Sequence, residues 1–244
     1  MGGLQKERWL YLVLATLVSA SVFVGFAQTY LTKERLLQTA DALPTAVHLH
    51  GISFLAWYGL LILQAVLVLR GSMRLHRWIG TASLALAIVM VAAGILVVAV
   101  RMEGGLGGDQ FWSSFSLIIL SNLVLFAVFF GLAMRFRRRP DQHRRYMLLA
   151  AATGSGAAQF RSLVAVFGPG FYAVPAGILV TNAFVVLAMI GDWFVRGRIS
   201  RVYLVALPAA VLFECAMLGL AFTTAGIEFQ RAMVEALRPL FGLY

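Results

Sequence analysis

Hydrophobic residues fall into seven long stretches along the chain, separated by short polar or glycine-rich segments such as "RFRRRPDQHRR" and "FGPGF". Each stretch has about the 20 residues that an α-helix needs to cross the hydrocarbon core of a bilayer. The pattern predicts an all-α polytopic bundle of seven transmembrane helices. The predicted spans lie at about 9–30, 46–69, 78–100, 112–134, 146–167, 172–195 and 202–222.

The chain after the seventh span, residues 223–244, is too short and too charged to cross a membrane. Its apolar side chains recur near one helical face, and its charged ones occupy the other. We predict an amphipathic helix on the outer membrane surface, with a helix packed across the mouth of the bundle as the alternative. Residues 1–222 form the transmembrane domain. The apolar face comprises Ile227, Met233, Val234, Leu237, Leu240 and Phe241.

Composition agrees with a membrane protein, since 61% of the residues are hydrophobic and 12% are charged, against about 45 to 50% and about 25% in soluble domains.

We retain the first stretch as a span because its apolar core exceeds the roughly 7 to 15 residues of a signal peptide. The single cysteine, Cys215, excludes an intrachain disulfide and a cysteine-rich metal site.

Basic residues are distributed unequally between the two sides of the predicted bundle. Fourteen of the 20 Lys and Arg residues lie on the side of the N-terminus and of the second, fourth and sixth loops. By the positive-inside rule, this places the N-terminus in the cytoplasm and the C-terminus outside. The expected partners of the basic loops are anionic lipids of the cytoplasmic leaflet, and no nucleic-acid partner is expected. The other side carries Lys33, Arg35, Arg101, Arg161, Arg231 and Arg238.

Two ionisable residues interrupt the apolar spans at similar depth. Glu214 and Arg161 lie roughly 18 Å and roughly 22 Å from the cytoplasmic end, at 1.5 Å per residue. Because an unpaired charge in hydrocarbon is costly, we predict that they form an ion pair or share a polar pocket. Alternatively, Arg161 extends to the outer head groups and Glu214 is protonated. Asn122 and Asn182 lie in the same layer, where they line a pocket or hydrogen-bond between helices.

One histidine of the second span shares a helix face with four later residues. Positions 4, 7, 11 and 14 residues after His50 return to the same face of an α-helix. That stripe holds His50, Phe54, Trp57, Leu61 and Gln64, while His48 points the opposite way. We predict a ligand-binding pocket in the outer half of the bundle. Its members are His50, Trp57, Gln64, Asn122, Arg161, Asn182 and Glu214.

Two other histidines, His76 and His143, lie in loops on the predicted cytoplasmic side. An alternative function is the binding of heme b through this pair, since axial histidines come from opposite sides of the ring. The opposing interpretation is that both imidazoles cap helix ends or bridge the loops to Asp192. In the fifth span, the small-residue run "AAATGSGAA", 150–158, predicts close helix packing at the centre of the bundle.

The residues that several known membrane-protein and enzyme functions require are absent from the sequence. No span contains a lysine for a retinal Schiff base, and no phosphate-binding glycine loop, His-Glu-x-x-His motif or nucleophile elbow is present. We therefore predict no catalytic residue and no metal site. A site built from His48, His50, Asp41 and Glu34 would match no strong ligand signature.

The motifs "LRGSMRLHRWIG" (69–80) and "RRRPDQHRRYMLLA" (137–150), the second followed by Arg161, resemble those of a group of uncharacterised bacterial multi-pass membrane proteins. The resemblance covers most of the chain from the second to the sixth span. It implies a bacterial inner-membrane protein and brings no established activity. A histidine often follows "GR" after the sixth span in that group, where this chain has Ser200. The shared positions are His76, Arg77, His143 and Arg145.

Three hypotheses for the function follow from these observations. The first is a small-molecule or lipid-binding protein, either transporter-like or an accessory subunit, that uses the outer-half pocket. The second is a membrane redox protein that binds heme b through His76 and His143. The third is a scaffold or assembly factor that has no binding site.

Overall fold

The structure is a computed structural model that describes residues 3–27, 45–106, 110–168 and 170–243 of the chain. These residues are almost entirely helical, and no strand occurs among them. A 3₁₀ segment, Arg238–Leu243, follows the last helix. The helices are α1 Gly3–Phe26, α2 Thr45–Leu69, α3 Met73–Gly105, α4 Gln110–Arg135, α5 Pro140–Gly154, α6 Gly156–Phe167, α7 Ala173–Arg196, α8 Arg201–Leu220 and α9 Thr224–Leu237.

Six helices in the described ranges are long and apolar enough to cross a membrane: α1, α2, α3, α4, α7 and α8. The chain is therefore a multi-pass membrane protein. Most of their bounds lie close to the predicted spans, because the apolar windows also form the helix interiors. The exceptions are α1, which begins at Gly3, and α3, which extends beyond its span at both ends. The end of the first predicted span, 28–30, lies outside the described residues.

The fifth predicted span, 146–167, is not one helix. It is interrupted at Ser155, which separates α5 of 15 residues from α6 of 12 residues. The Ser155 N–H donates to the carbonyl of Ala152 at 3.1 Å, so the chain tightens there to an i to i−3 bond. Neither helix alone has the about 20 residues of a span.

Small residues around this interruption allow the neighbouring helices to approach closely. Residues 148–156 are all buried, and the Tyr58 hydroxyl donates to the carbonyl of Ala151 at 2.7 Å. A Cβ atom on Gly25 of α1 would collide with the backbone of Ala158. Because α5 and α6 together contact α1, α4, α7 and α8, the predicted central position of this segment is confirmed.

Local sequence signals fix several helix ends. Pro140 occupies the first turn of α5, where its missing N–H leaves no hydrogen bond unmade. The Ser200 hydroxyl accepts a hydrogen bond from the N–H of Val202 at 3.3 Å and caps the start of α8. Gly197 ends α7 with a φ of 69°, a left-handed conformation that glycine adopts without strain. These local signals determine where α5 and α8 begin and where α7 ends.

The C-terminal helix α9 packs against α3. Its buried stripe comprises Gly226, Gln230 and Val234, spaced four residues apart, as expected for one helix face. An ion pair of 3.1 Å between Arg238 and Glu103 fixes the segment after α9 to the end of α3. Among the predicted apolar residues, Val234 is buried, whereas Ile227 and Leu240 are exposed. Met233, Leu237 and Phe241 are partly buried, so the face of this segment that contacts the protein is largely the predicted one.

Candidate functional site

A buried carboxylate lies where α4, α7 and α8 meet. Glu214 has a relative exposure of 0%, and its two oxygens accept hydrogen bonds from two asparagine amides. Asn122 of α4 donates to Oε1 at 2.8 Å, and Asn182 of α7 donates to Oε2 at 2.6 Å. The Asn182 amide also donates to the carbonyl of Ile178 at 2.9 Å. We call Asn122, Asn182 and Glu214 the carboxylate site.

The carboxylate site is positioned by the first residue of α6. Gly156 lies directly against the Asn122 side chain, so that a Cβ atom there would overlap the amide. The absence of a side chain at this position leaves the space that Asn122 needs to reach Glu214. The interruption at Ser155 and the carboxylate site therefore adjoin each other in the structure.

A partly buried arginine lies near a second group of polar and aromatic residues, which we call the arginine site: Phe26, His50 and Arg161. The Arg161 Cζ atom lies 5.1 Å from the ring centroid of Phe26, in the range of a cation–π interaction. The rings of Phe26 and His50 are 6.4 Å apart between centroids. Within the described residues, Arg161 makes no hydrogen bond and no ion pair. The buried Nδ1 of His50 likewise has no hydrogen-bond partner there.

The predicted ion pair between Arg161 and Glu214 is not formed. The carboxylate of Glu214 binds two asparagine amides, and the guanidinium of Arg161 lies over the Phe26 ring. The two residues were expected to be partners because their predicted depths are similar. Their rotation about their helices and the packing of α6 decide the actual partners. Five of the seven predicted pocket residues thus divide between two sites: Asn122, Asn182 and Glu214 form the carboxylate site, and His50 and Arg161 belong to the arginine site.

The stripe predicted on the second span faces the protein interior, since His50, Phe54, Trp57, Leu61 and Gln64 are all buried. Trp57 does not join a polar pocket. Its indole packs edge-on against the rings of Phe126 and Phe130, at centroid distances of 5.0 and 6.1 Å. Trp57 therefore belongs to the aromatic core between α2 and α4.

Gln64 lies at the opposite end of α2 from His50, where its side chain faces the first turns of α3. When its NH₂ group is turned toward His76, the amide can donate to the Nδ1 and to the carbonyl oxygen of His76, and its oxygen can accept from the Gly80 N–H. Two of these contacts are to backbone groups at the start of α3. Gln64 is thus separated from the arginine site by roughly 20 Å of helix.

His76 and His143 lie next to each other, with ring centroids 6.3 Å apart and an angle of 83° between the rings. The Nδ1–H of His143 donates to the carbonyl of Ala133 at 2.8 Å, which leaves the lone pair on Nε2. The Nδ1 of His76 lies beside the side-chain amide of Gln64. Neither imidazole bonds to Asp192.

A cluster of charges joins the start of α1, the start of α5 and the end of α7. Arg144 bonds to Glu7 and to Asp141, and Arg196 approaches Glu7 at 3.5 Å and Asp141 at 2.9 Å. Equal numbers of carboxylates and guanidiniums make the cluster neutral. We call it the charge cluster, and it comprises Glu7, Asp141, Arg144, Arg145, Asp192 and Arg196.

Arg145 and Asp192 form the buried centre of the charge cluster. Both side chains have a relative exposure of 0%. The guanidinium binds both carboxylate oxygens at 2.8 to 3.0 Å and also the carbonyl of Asp141 at 2.6 Å. From the sequence, Arg145 stood out only as a position shared with the resembling group, and Asp192 only as a possible partner of the histidines. The available signal was Asp141, four residues before Arg145 on one helix.

Two open depressions lie on the surface of the described part of the chain. One is lined by Ser72, Arg74, Leu75 and Trp78, and the other by Leu163, Phe167, Tyr172 and Ala176. Neither includes a member of the carboxylate site or of the arginine site. In the described residues, no group of three or more His, Cys, Asp or Glu side chains could hold a metal ion.

No protein-family model, no curated protein and no solved structure matches the chain. The geometry of the two sites therefore carries the functional interpretation.

Proposed function

We propose that the chain is a seven-span protein of the bacterial inner membrane that binds an anionic group, a phosphate or a carboxylate, at Arg161 in the outer half of the bundle. The group belongs to a small molecule or to a lipid. The observation that carries this proposal is the guanidinium of Arg161, which has no carboxylate and no hydrogen-bond acceptor among the described residues.

The geometry of α5 and α6 supports seven spans. Laid end to end through Ser155, the 15 and 12 residues of these helices give roughly 40 Å of helix at 1.5 Å per residue. The hydrocarbon core is about 30 Å thick. Broken spans of this kind are typical of transporters, whose substrate and ion sites lie beside the interruption.

The charge cluster supports a cytoplasmic N-terminus. Its ion pairs bring the start of α1, the start of α5 and the end of α7 to one end of the bundle. Seven alternating spans require these three points to share a side. The same side carries fourteen of the 20 basic residues, as the positive-inside rule expects of the cytoplasm.

The environment of Arg161 favours an anionic ligand. An unpaired guanidinium at membrane depth is costly, and an anion removes most of that cost through charge-assisted hydrogen bonds. The buried Nδ1 of His50, whose ring lies 6.4 Å from that of Phe26, supplies a further polar atom near Arg161. Arginine is also the side chain best suited to bind a carboxylate or a phosphate through two parallel bonds.

The test is lipid retention and thermal stabilisation of the purified protein. Native mass spectrometry counts bound phosphatidylglycerol and phosphatidylcholine, and thermal unfolding is followed with inorganic phosphate or succinate added. Wild type should retain the anionic lipid or be stabilised by a free anion, and these two arms distinguish the source of the group. Arg161→Gln should weaken the effect about tenfold or more.

Arg231→Gln is the matched control, because Arg231 is an exposed arginine of α9 on the predicted outer side. This variant removes the same charge and should bind like wild type. Equal loss in both variants, or no difference between anionic and zwitterionic ligands in wild type, contradicts the anion site. The scaffold hypothesis would then stand in its place.

A further inference from the structure

The carboxylate of Glu214 is buried without a cation. In the described part of the chain its polar partners are the amides of Asn122 and Asn182, which carry no charge. The side chain is fully buried at 0% exposure. Two neutral hydrogen bonds do not compensate a full negative charge that has been removed from water.

A second buried carboxylate of the same protein, that of Asp192, does have a cationic partner. Asp192 has the same exposure, 0%, and is paired with the Arg145 guanidinium through both oxygens. This buried carboxylate is thus compensated by a bidentate arginine. Glu214 has none, although Arg161 lies at a similar predicted depth.

No charged side chain of the helices around Glu214 contacts it. The titratable residues of α4, α5 and α7 lie toward the end of the bundle that holds the charge cluster, and none makes a hydrogen bond or ion pair with Glu214. On α6 the titratable residue is Arg161, which lies over Phe26. The titratable residues of α4, α5 and α7 are Arg135, Asp141, His143, Arg144, Arg145, Tyr146, Asp192 and Arg196. Besides Glu214, those of α8 are Arg201, Tyr203 and Cys215.

The asparagines suit a protonated acid as well as an ionised one. Each amide has a donor end and an acceptor end, and rotation exchanges them at the carboxyl group. In the present orientation, Oδ1 of Asn182 is buried and accepts no hydrogen bond. After the amide rotates, this oxygen can accept the O–H of a protonated Glu214.

We propose that Glu214 is a reversible proton-binding site inside the membrane, with Asn122 and Asn182 as its hydrogen-bond partners in both protonation states. The proton adds to a carboxylate oxygen and leaves from the same oxygen, so that no other bond forms or breaks. The proton site is independent of the anion site at Arg161, since the two use different residues and different ligands.

The experiment is infrared difference spectroscopy of the purified protein between high and low pH. The carbonyl stretch of a protonated carboxylic acid should appear in wild type and disappear reversibly as the pH rises. Glu214→Gln should lose this band, because an amide lacks that stretch. Glu235→Gln, the same change at an exposed glutamate of α9, should retain it.

A second variant keeps the test valid if Glu214→Gln fails to fold. Asn182→Ala leaves Glu214 in place and removes a donor that favours the ionised form, so the band should persist to a higher pH by about one unit. Arg161→Gln should leave the titration unchanged, which separates this test from that of the anion site.

Three results would overturn the proposal. The first is the absence of a titrating acid band in wild type, and the second is an identical band in Glu214→Gln. The third is a titration that moves to lower pH in sodium chloride relative to choline chloride. Such a shift would indicate a site that exchanges its proton for a metal cation.

Discussion

The guanidinium of Arg145 and the carboxylate of Asp192 bind each other through paired hydrogen bonds in the protein interior, and neither side chain is accessible to solvent. Arg145 belongs to α5 and Asp192 to α7, so the bond joins two helices that are distant in sequence. Additional contacts from Arg144 and Arg196 to Glu7 extend the connection to α1.

Removal of one partner of this pair should be strongly destabilising. Arg145→Met leaves the Asp192 carboxylate buried without a counter-charge, which is expected to lower the free energy of unfolding by about 3 to 5 kcal/mol. Thermal unfolding in detergent measures the effect. Arg138→Met, an exposed arginine before α5, should change stability by about 0.5 kcal/mol or less.

The double variant Arg145→Met, Asp192→Leu should recover much of the lost stability, because it removes both charges from the interior together. An additive loss in the double variant would show that the two residues act independently, contrary to the observed geometry.

Gly156→Ala should disturb the carboxylate site and destabilise the fold. A methyl group at Gly156 overlaps the Asn122 amide, and overpacking of a buried site costs about 1 to 3 kcal/mol. Gly131→Ala is the matched control, since nothing lies within 4 Å of the added atom there. In an exposed helix interior that change should stabilise by about 0.5 to 1 kcal/mol. Opposite signs in thermal unfolding are the expected result, and equal signs would contradict the contact.

Acidification should destabilise the protein through His143. Burial lowers the pKa of His143, and its bond to the Ala133 carbonyl opposes this shift only in part. The unfolded chain, with a pKa of about 6.5, therefore binds the proton before the folded protein does. The stabilising contribution is complete above about pH 6.5 and is lost as the pH falls through the lowered pKa.

Thermal unfolding measured from about pH 8 to about pH 5 should show this loss, and His143→Gln should reduce it. His48→Gln, which removes a partly exposed histidine of α2, should leave the pH dependence as in wild type. A curve for His143→Gln that coincides with that of wild type would contradict the assignment.

The purified protein is expected to show no Soret band. Neither of the two surface depressions of the described structure includes His76 or His143, and both imidazoles contact protein groups, the Gln64 amide and the Ala133 carbonyl. Visible absorbance after expression with added heme precursor is the measurement. A Soret band that disappears in His143→Ala would establish the heme alternative instead.

The depth of the polar residues could be predicted from the sequence, whereas their partners could not. Counting residues from the span ends placed Asn122, Asn182 and Glu214 in one layer, and the structure brings these three together. The same counting suggested Arg161 as the partner of Glu214. Depth along a helix axis follows from the rise per residue, but contact also requires that two side chains face each other across the bundle.

The charge cluster shows the same limit. Its acidic members lie at helix ends that are far apart in sequence, so the composition of each loop indicated only a basic cytoplasmic face. The bidentate bond between Arg145 and Asp192 depends on the packing of α5 against α7. Its strength could not be inferred from either segment alone.

The sequence by itself determined that the chain is a helical multi-pass membrane protein and where most of its helices run. The bilayer imposes a minimum apolar length, and local signals such as Pro140 and Gly197 end the helices. Only the tertiary structure decided that the fifth predicted span is interrupted at Ser155, that Glu214 binds two asparagines, and that Arg161 pairs with no carboxylate among the described residues. Those outcomes depend on how the helices are rotated and packed against one another, which the order of residues along each helix does not specify.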